Sequence, residues 1–248
     1  MIKKMIKIQK KGIKSVVREI WFSDSFNIMD IVSPTLFKQY RGKVPLFFIK
    51  EDFYTKIIRL DMAENMIFNN FKTNTKYEIK RAEKEGVEYD PNVKFDDFVI
   101  FHDTFSNHKV SVESLVLYLN KEYSIITAAK YKGDYLCMHA YLIDKVILKA
   151  RLLYSITSFK DNTDNDMKAF IGRANRYLHY KDIQYFKKEG YIEYDLGGYA
   201  YNSNDEKLIN INNFKDSFGG DLKYEPHLKS PLFILVKNAK KIFKLFRG

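Results

Sequence analysis

Residues 151–157 read RLLYSIT and residues 191–198 read YIEYDLGG, with a long amphipathic segment between them. Both runs are rich in aromatic and β-branched residues, so we predict two β-strands, the second of which stops at Gly197-Gly198. The intervening segment, from about Met167 to Glu189, has apolar residues at helical spacing and is followed by Gly190, which indicates a helix and its end. This strand–helix–strand order decides the fold, because the first amides of such a helix form a site for anions.

The residues before this segment predict three consecutive strands. The runs at 124–130, 135–144 and 146–157 are β-like, and two connections of hairpin length separate them, Lys132-Gly133-Asp134 and Asp144-Lys145. Connections this short join antiparallel neighbours. We therefore predict an α/β (α+β) fold in which helices flank a mixed, mostly antiparallel sheet.

Length and composition indicate a folded protein, which we expect in the cytoplasm. The chain has 248 residues, 18 Tyr and 20 Phe but only five Pro, which suits a well-packed domain and argues against disorder. A single cysteine, Cys137, excludes an internal disulfide framework and a cysteine-based zinc site, and we predict no metal ion. No apolar run follows the basic start, and none approaches the ~18 residues of a spanning helix, so we expect neither a signal peptide nor a membrane span.

The net charge of +11 favours anionic partners, among them nucleotide-linked molecules, coenzyme A, tRNA and anionic lipid. The alternative is that the lysines are simply spread over the surface. Part of the charge is concentrated on a predicted helix at 68–85, where Lys72, Lys76 and Lys80 fall four residues apart and Arg81 follows. We predict that Lys76, Lys80 and Arg81 contact phosphates of the acceptor substrate or of RNA; a solvated helix face is the alternative.

The end of the chain differs from the rest in character. Ser230-Pro231 is a helix-start signal, and Phe and Lys residues alternate beyond it. This pattern is typical of an interfacial anchor at the inner face of the membrane, and equally of a helix that docks its apolar side on the protein. We predict one domain at 1–229 with an N-terminal elaboration at 1–95, followed by a basic amphipathic helix at 230–248.

Three motifs in order resemble the Fem-type branch of the GNAT acyltransferase superfamily, in its single-domain form. The first is the basic helix Asn74–Val87, the second is Tyr194-Asp195-Leu196-Gly197-Gly198, and the third is Asn213-Phe214-Lys215-Asp216-Ser217-Phe218-Gly219-Gly220. Together they span about 150 residues. The Fem-type enzymes that build peptidoglycan bridges contain two GNAT-like domains, whereas this chain has room for one with an extension.

The resemblance implies a GNAT-like N-acyltransferase. The expected reaction moves an acyl group from a thioester donor, acyl-CoA, to an amino group on a cell-envelope or polysaccharide precursor such as an amino sugar. One alternative is an aminoacyl-tRNA-dependent aminoacyltransferase that acts on a peptidoglycan precursor. Another is a non-catalytic GNAT scaffold that binds anionic partners. The residues do not indicate the oligomeric state.

The resemblance also suggests where the donor binds. GNAT enzymes hold pyrophosphate with a Gly-rich loop at a helix start, and the corresponding residues here are Gly172, Arg173 and Ala174. Lys168 and Asn175 flank them and complete the predicted donor site. A glycine that packs a helix closely onto the sheet is the alternative interpretation of Gly172.

Acyl transfer to an amine needs a proton acceptor and donors for the developing oxyanion, and no covalent intermediate. We predict catalytic roles for Asp195 at a strand end, for the signature lysine Lys215 and for His139 on the central hairpin, with Tyr154 at the substrate. Each has a plainer interpretation: Asp195 as the cap of the Gly-Gly turn, Lys215 as a solvated lysine and His139 as a hydrogen-bonded strand residue. We expect His179 to pack in the helix or lie at the surface.

Overall fold

The computed structural model describes residues 6–12, 15–106, 110–160 and 164–245. In chain order the elements are β1 (Lys7–Gly12), β2 (Ser15–Trp21), α1 (Ile28–Ile31), β3 (Thr35–Lys38), β4 (Ile49–Glu51), β5 (Tyr54–Arg59), α2 (Glu64–Asn69), α3 (Thr73–Lys84), β6 (Glu88–Asp90), α4 (Phe95–Phe105), α5 (Val112–Tyr118), β7 (Ser124–Tyr131), β8 (Asp134–Asp144), β9 (Lys149–Thr157), α6 (Asn165–Lys188), β10 (Glu193–Tyr199), α7 (Glu206–Asp216), β11 (Asp221–Tyr224), β12 (His227–Lys229) and α8 (Pro231–Leu245).

The chain divides into two compact units. The smaller unit takes residues 1–55 together with 223–248, and the larger unit takes residues 56–222. The division therefore falls within β5 and β11. The predicted domain boundaries, at residues 95 and 229, differ from these divisions and stay a prediction.

A seven-stranded sheet in the order β11-β5-β10-β9-β8-β7-β6 organises the larger unit. The predicted three-strand meander is confirmed, because β7 pairs antiparallel with β8 and β8 pairs antiparallel with β9. β10 joins β9 in parallel, so the sheet is mixed. The predicted fold class is therefore confirmed.

The helix α6 packs on this sheet and is confirmed close to its predicted bounds. Asp164 caps its start by accepting a hydrogen bond from the backbone of Met167, and Gly190 follows its end with a φ of +84°. Its apolar side joins the main core, where Ile171, Ala174 and Leu178 are buried. Cys137 is buried in this core, and burial raises the pKa of its thiol, as expected for an inert cysteine.

A five-stranded sheet in the order β1-β2-β3-β12-β4 forms the smaller unit. Its core contains Ile20, Phe37, Tyr40, Phe48 and Leu228. The last strand, β12, pairs with both β3 and β4, so the end of the chain completes a sheet that its beginning starts. The helix predicted after Ser230 is confirmed as α8, and residues 246–248 lie outside the described residues. No helix in the described part of the chain is long and apolar enough to cross a bilayer.

Candidate functional site

A cavity of about 520 Å³ lies where two parallel strands part. β9 and β10 pair through only three residue pairs, which end at Asp195 opposite Arg151, although both strands continue. β9 also has an extra residue, because Leu152 and Tyr154 have partners on β8 and Leu153 between them has none in the register. The cavity is lined by residues of β9, β10, α6 and α7: Arg151, Leu152, Leu153, Ser155, Asn175, His179, Leu196, Gly197, Gly198, Asn210, Ile211, Phe214 and Lys215.

Asp195 fixes the backbone of Gly197, which lines the cavity. Its side chain is fully buried, accepts a 2.7 Å hydrogen bond from the backbone N–H of Gly197 and lies 3.0 Å from the Lys149 ammonium. Gly197 has a φ of +80°, and a Cβ there would lie 3.1 Å from the Leu152 carbonyl oxygen. The carboxylate therefore caps the Gly-Gly turn. Asp195 is not among the lining residues, which favours the interpretation as a cap; its role as a proton acceptor through water stays a prediction.

Lys215 lies in the cavity wall, as predicted. α7 carries it, and its ammonium donates a hydrogen bond to the Gly198 carbonyl oxygen. Burial lowers the pKa of Lys215 to about 8; nearby Asp195 opposes this shift, and Arg151 adds to it. At pH 7 the side chain is therefore still mostly a cation, and it is poorly hydrated, which strengthens its interaction with a developing negative charge.

His179 also lines the cavity, although we did not predict it as a site residue. It is 1% exposed and packs between the rings of Phe214 and Phe218, with centroid distances of 5.5 and 5.0 Å. Burial holds the pKa of His179 well below its usual value of 6.5, and the charges of His139 and Lys215 add to this effect. Its imidazole is therefore neutral at pH 7.

A chain of buried hydrogen bonds fixes which nitrogen of His179 carries the proton. The Nδ1 atom lies 2.7 Å from the Tyr194 hydroxyl, which lies 2.7 Å from the Tyr141 hydroxyl, which donates to Asp182 at 2.6 Å. A carboxylate only accepts, so Tyr141 donates to Asp182 and Tyr194 donates to Tyr141. Nδ1–H of His179 then donates to Tyr194. Nε2 is left with a lone pair, and it has no hydrogen-bond partner among the described residues.

His139 belongs to the same buried network rather than to the cavity wall. Its Nδ1 lies 2.8 Å from the Asp182 carboxylate, and its Nε2 lies 2.9 Å from the side-chain oxygen of Asn175. It is fully buried and is absent from the lining, so direct catalysis by His139 is not supported by its position. It holds Asn175, which does line the cavity, and thus matches the plainer interpretation of a hydrogen-bonded strand residue.

The residues predicted to hold a pyrophosphate do not lie at the start of a helix. α6 begins at Asn165, so Gly172 lies two turns inside it, where backbone amides bond within the helix. Arg173 is engaged by Glu85 through two hydrogen bonds of 2.8 and 3.0 Å, and Ala174 is buried in the core. Lys168 is not in the cavity lining either, and the first turn carries an acidic residue, Asp166, which repels anions. Only Asn175 of the predicted set reaches the cavity.

The predicted substrate-binding residues also lie outside the cavity lining. Tyr154 packs against Phe98 and His102 in a second core, with centroid distances of 6.0 Å. On α3, Arg81 forms a 2.9 Å ion pair with Glu85. Lys76 donates to the Asn69 carbonyl oxygen, and Lys80 lies over the Phe68 ring.

Other cavity residues were missed because no sequence signal distinguishes them. Arg151 and Ser155 lie in a run that predicts only a strand, and Asn210 and Ile211 lie in a helix of low amphipathicity. Arg176, a basic residue one turn before His179, is not among the lining residues but contacts one of them. Its guanidinium lies over the Phe214 ring at 5.2 Å, and its buried Nε has no hydrogen-bond partner among the described residues.

Comparisons with solved structures agree with this architecture. FemX matches with a TM-score of 0.61 at 12% identity, over 93% of this chain and 86% of that chain. The chain shares the fold of FemX. The C-terminal DUF2156 domain of an Agrobacterium fabrum protein assigned as a lysylphosphatidylglycerol synthetase matches with a TM-score of 0.59 at 9% identity, over 97% of this chain and 86% of that chain.

A third structure, L-PGS from Bacillus licheniformis, has a TM-score of 0.57 at 11% identity, over 95% of this chain and 85% of that chain. No known protein family and no curated protein matches the sequence. Identities this low establish a shared fold and leave the activity to the site itself.

Proposed function

We propose that this protein is an acyltransferase that moves an activated acyl group to an amine. One observation carries the proposal: two complementary groups line the same cavity. Lys215 is an ammonium with a pKa of about 8, and His179 is a neutral imidazole with a free lone pair. Acyl transfer to an amine needs these two functions, an electrophilic stabiliser and a proton acceptor. The shared fold with FemX supports the same class of reaction.

In the proposed reaction the amine nitrogen attacks the carbonyl carbon of the donor, and a C–N bond forms. Lys215 stabilises the oxyanion that develops on the carbonyl oxygen. The nitrogen becomes positively charged and therefore acidic, and it passes its proton to Nε2 of His179. The bond to the leaving oxygen or sulfur then breaks, and the proton returns from His179 to the leaving group.

The buried network keeps His179 ready for this role. Asp182 orients Tyr141 and Tyr194, so the proton of the resting imidazole stays on Nδ1. When Nε2 gains a proton, the positive charge on the ring is stabilised through the two hydroxyls by the Asp182 carboxylate. Tyr141, Tyr194 and Asp182 are thus positioning residues, and they do not touch the substrate.

The donor is an acyl thioester such as acyl-CoA, and the acceptor is an amino group on an envelope or polysaccharide precursor, for instance an amino sugar. An aminoacyl ester is the second candidate donor. It is favoured by the acidic first turn of α6 and by the interior position of Gly172, since neither suits a pyrophosphate. Both donors present a carbonyl carbon and a good leaving group to the same cavity.

The decisive experiment offers the purified chain a set of acyl-CoAs and a set of aminoacyl-tRNAs, each with amino sugars as acceptors, and detects new amides by mass spectrometry. We expect an amide product with one donor class from the wild type, and at least about a hundredfold less from Lys215→Met in the same time. Competition between free coenzyme A and charged tRNA then assigns the donor. If neither class gives a product that depends on Lys215, the acyltransferase proposal is wrong, and a non-catalytic scaffold becomes the better description.

A further inference from the structure

The excess positive charge of the protein resides in the smaller unit. Residues 1–55 and 223–248 hold 18 lysines and arginines against six acidic residues, a surplus of 12. The larger unit holds 24 against 25, a net charge of −1. A third of the chain therefore accounts for the whole surplus, so the net positive charge is not distributed evenly between the two units.

The same unit exposes an unusual number of large apolar side chains. Eight of them fall between residues 26 and 49: Phe26, Ile28, Met29, Val32, Val44, Leu46, Phe47 and Ile49. Leu46 is 95% exposed and Ile28 is 70% exposed, so these side chains contribute little to the core of the unit. Single exposed apolar residues are ordinary, whereas a group of this density marks an interaction surface.

Two neighbouring loops present these side chains. A turn closed by a hydrogen bond from the Phe48 backbone to the Pro45 carbonyl places Leu46 and Phe47 at its tip. Phe48 points into the core and meets the ring of Phe26 at a centroid distance of 5.6 Å, which holds the loop before α1 against this turn. This ring contact links the apolar residues at 26–32 to those at 44–49, and the two groups are here called the apolar loops.

The basic helix α8 starts beside this surface. The Ser230 hydroxyl donates to the Ser33 carbonyl and accepts from the backbone N–H groups of Thr35 and Phe233, so it caps α8 and fastens it next to Val32. The sequence of α8 carries Lys237, Lys240, Lys241 and Lys244. Arg41, Lys43 and Lys50 are exposed in or near the turn.

We propose that the apolar loops and α8 form a surface that binds an anionic lipid bilayer, with Leu46 and Phe47 inserted among the acyl chains. Moving apolar side chains from water into the acyl region lowers the free energy, and basic residues are attracted to anionic headgroups. The inference does not depend on the proposed function, because the surface shares no residue with the cavity.

A bilayer explains these observations better than an RNA does. RNA-binding surfaces pair basic residues with aromatic rings on which bases stack, whereas six of the eight exposed side chains here are aliphatic. Aliphatic side chains gain nothing from a phosphate backbone. A lipid surface accommodates both the positive charge and the aliphatic side chains. Binding of tRNA and self-association are the competing outcomes of the test.

The test measures co-sedimentation of the full chain with vesicles of pure phosphatidylcholine and with vesicles that contain one-third phosphatidylglycerol. We expect binding to the anionic vesicles only, and weaker binding as salt is raised, because screening reduces the attraction. The double variant Leu46→Ser, Phe47→Ser should bind at least tenfold more weakly. Ile100→Ser, Val116→Ser is the matched control, since both side chains are exposed in the larger unit, and it should bind like the wild type.

Three results would overturn the proposal: equal binding to neutral and anionic vesicles, equal loss of binding in the control variant, or no effect of the Leu46 and Phe47 substitutions. Binding to tRNA that leaves vesicle binding absent would assign the basic surface to RNA instead. Conversion of a dimer to a monomer by the double variant, without any vesicle binding, would assign it to a second copy of the chain.

Discussion

The two units of this protein differ in net charge and in the groups that they bury. The larger unit is nearly neutral and buries its functional groups, so that Lys215 and His179 have shifted pKa values and Asp182 is fully enclosed. The smaller unit has a surplus of 12 positive charges and exposes its apolar loops to solvent. Burial changes the chemistry of a charged group, whereas exposure makes it available to a partner. Substitutions in the two units should therefore change different measured properties.

The largest effect is expected at Lys215. Lys215→Met should lower kcat about 10²–10³-fold, because the oxyanion loses a charged donor. Burial lowers the pKa of Lys215 from 10.5 to about 8, so the unfolded chain binds more protons between these values and the cation destabilises the fold at pH 7. The variant should thus be more stable by about 1–3 kcal/mol in urea denaturation. Lys207→Met, at an exposed lysine on the same helix, is the control and should change neither property.

His179 should give the next largest effect. His179→Ala should lower kcat about 100-fold, since the attacking amine of the acceptor loses the group that takes its proton. Added imidazole should restore part of the rate, because the enlarged cavity admits it. His102→Ala provides a comparison at a buried histidine outside the cavity, and its rate should not respond to imidazole. An unchanged rate in the His179 variant would show that the imidazole takes no part in the reaction.

The pH dependence of the rate distinguishes the two groups. Above pH 8 the kcat should fall up to tenfold per pH unit as Lys215 loses its proton, because its pKa is about 8. His179 stays neutral over the same range, so it should add no titration between pH 6.5 and 9. Lys215→Arg should abolish the fall at high pH, since an arginine keeps its charge. A fall that persists in this variant would have another cause.

The smallest effect on catalysis is expected from the apolar loops. Leu46→Ser should change kcat for a water-soluble amine less than twofold, and the free energy of unfolding by no more than about 0.5 kcal/mol, because the side chain is 95% exposed. Steady-state kinetics and urea denaturation check both values. A large loss of kcat would mean that the apolar loops take part in turnover.

Local sequence patterns were sufficient for most of the fold. The meander of β7, β8 and β9 followed from three β-like runs and the short connections between them, and the end of α6 followed from Gly190. The start of α6 was harder to place, because Asp164, Asn165 and Asp166 are all good caps. The structure uses Asp164, which moves Gly172 two turns into the helix and removes the predicted anion site.

The candidate site was predicted less well than the fold, and its two chemical groups illustrate why. The resemblance to a signature lysine was enough to predict Lys215 as a site residue. Its lowered pKa could not be predicted, because it depends on burial in the folded protein. His179 was set aside because one histidine on a helix usually packs in the core. Its role follows from two hydroxyls that are distant in sequence. Tyr141 on β8 lies 38 residues before His179, and Tyr194 on β10 lies 15 residues after it.

The sequence by itself determined the order of strands and helices, the glycine at 197 that turns the strand and the number of charges. These depend on each residue and its near neighbours. Only the tertiary structure decided where the charge resides and which groups meet in the cavity. Residues 223–248 join residues 1–55, and the network of Asp182 on α6 draws on side chains from β6, β8 and β10. Desolvation and long-range hydrogen bonds depend on burial, and burial exists only once the chain has folded.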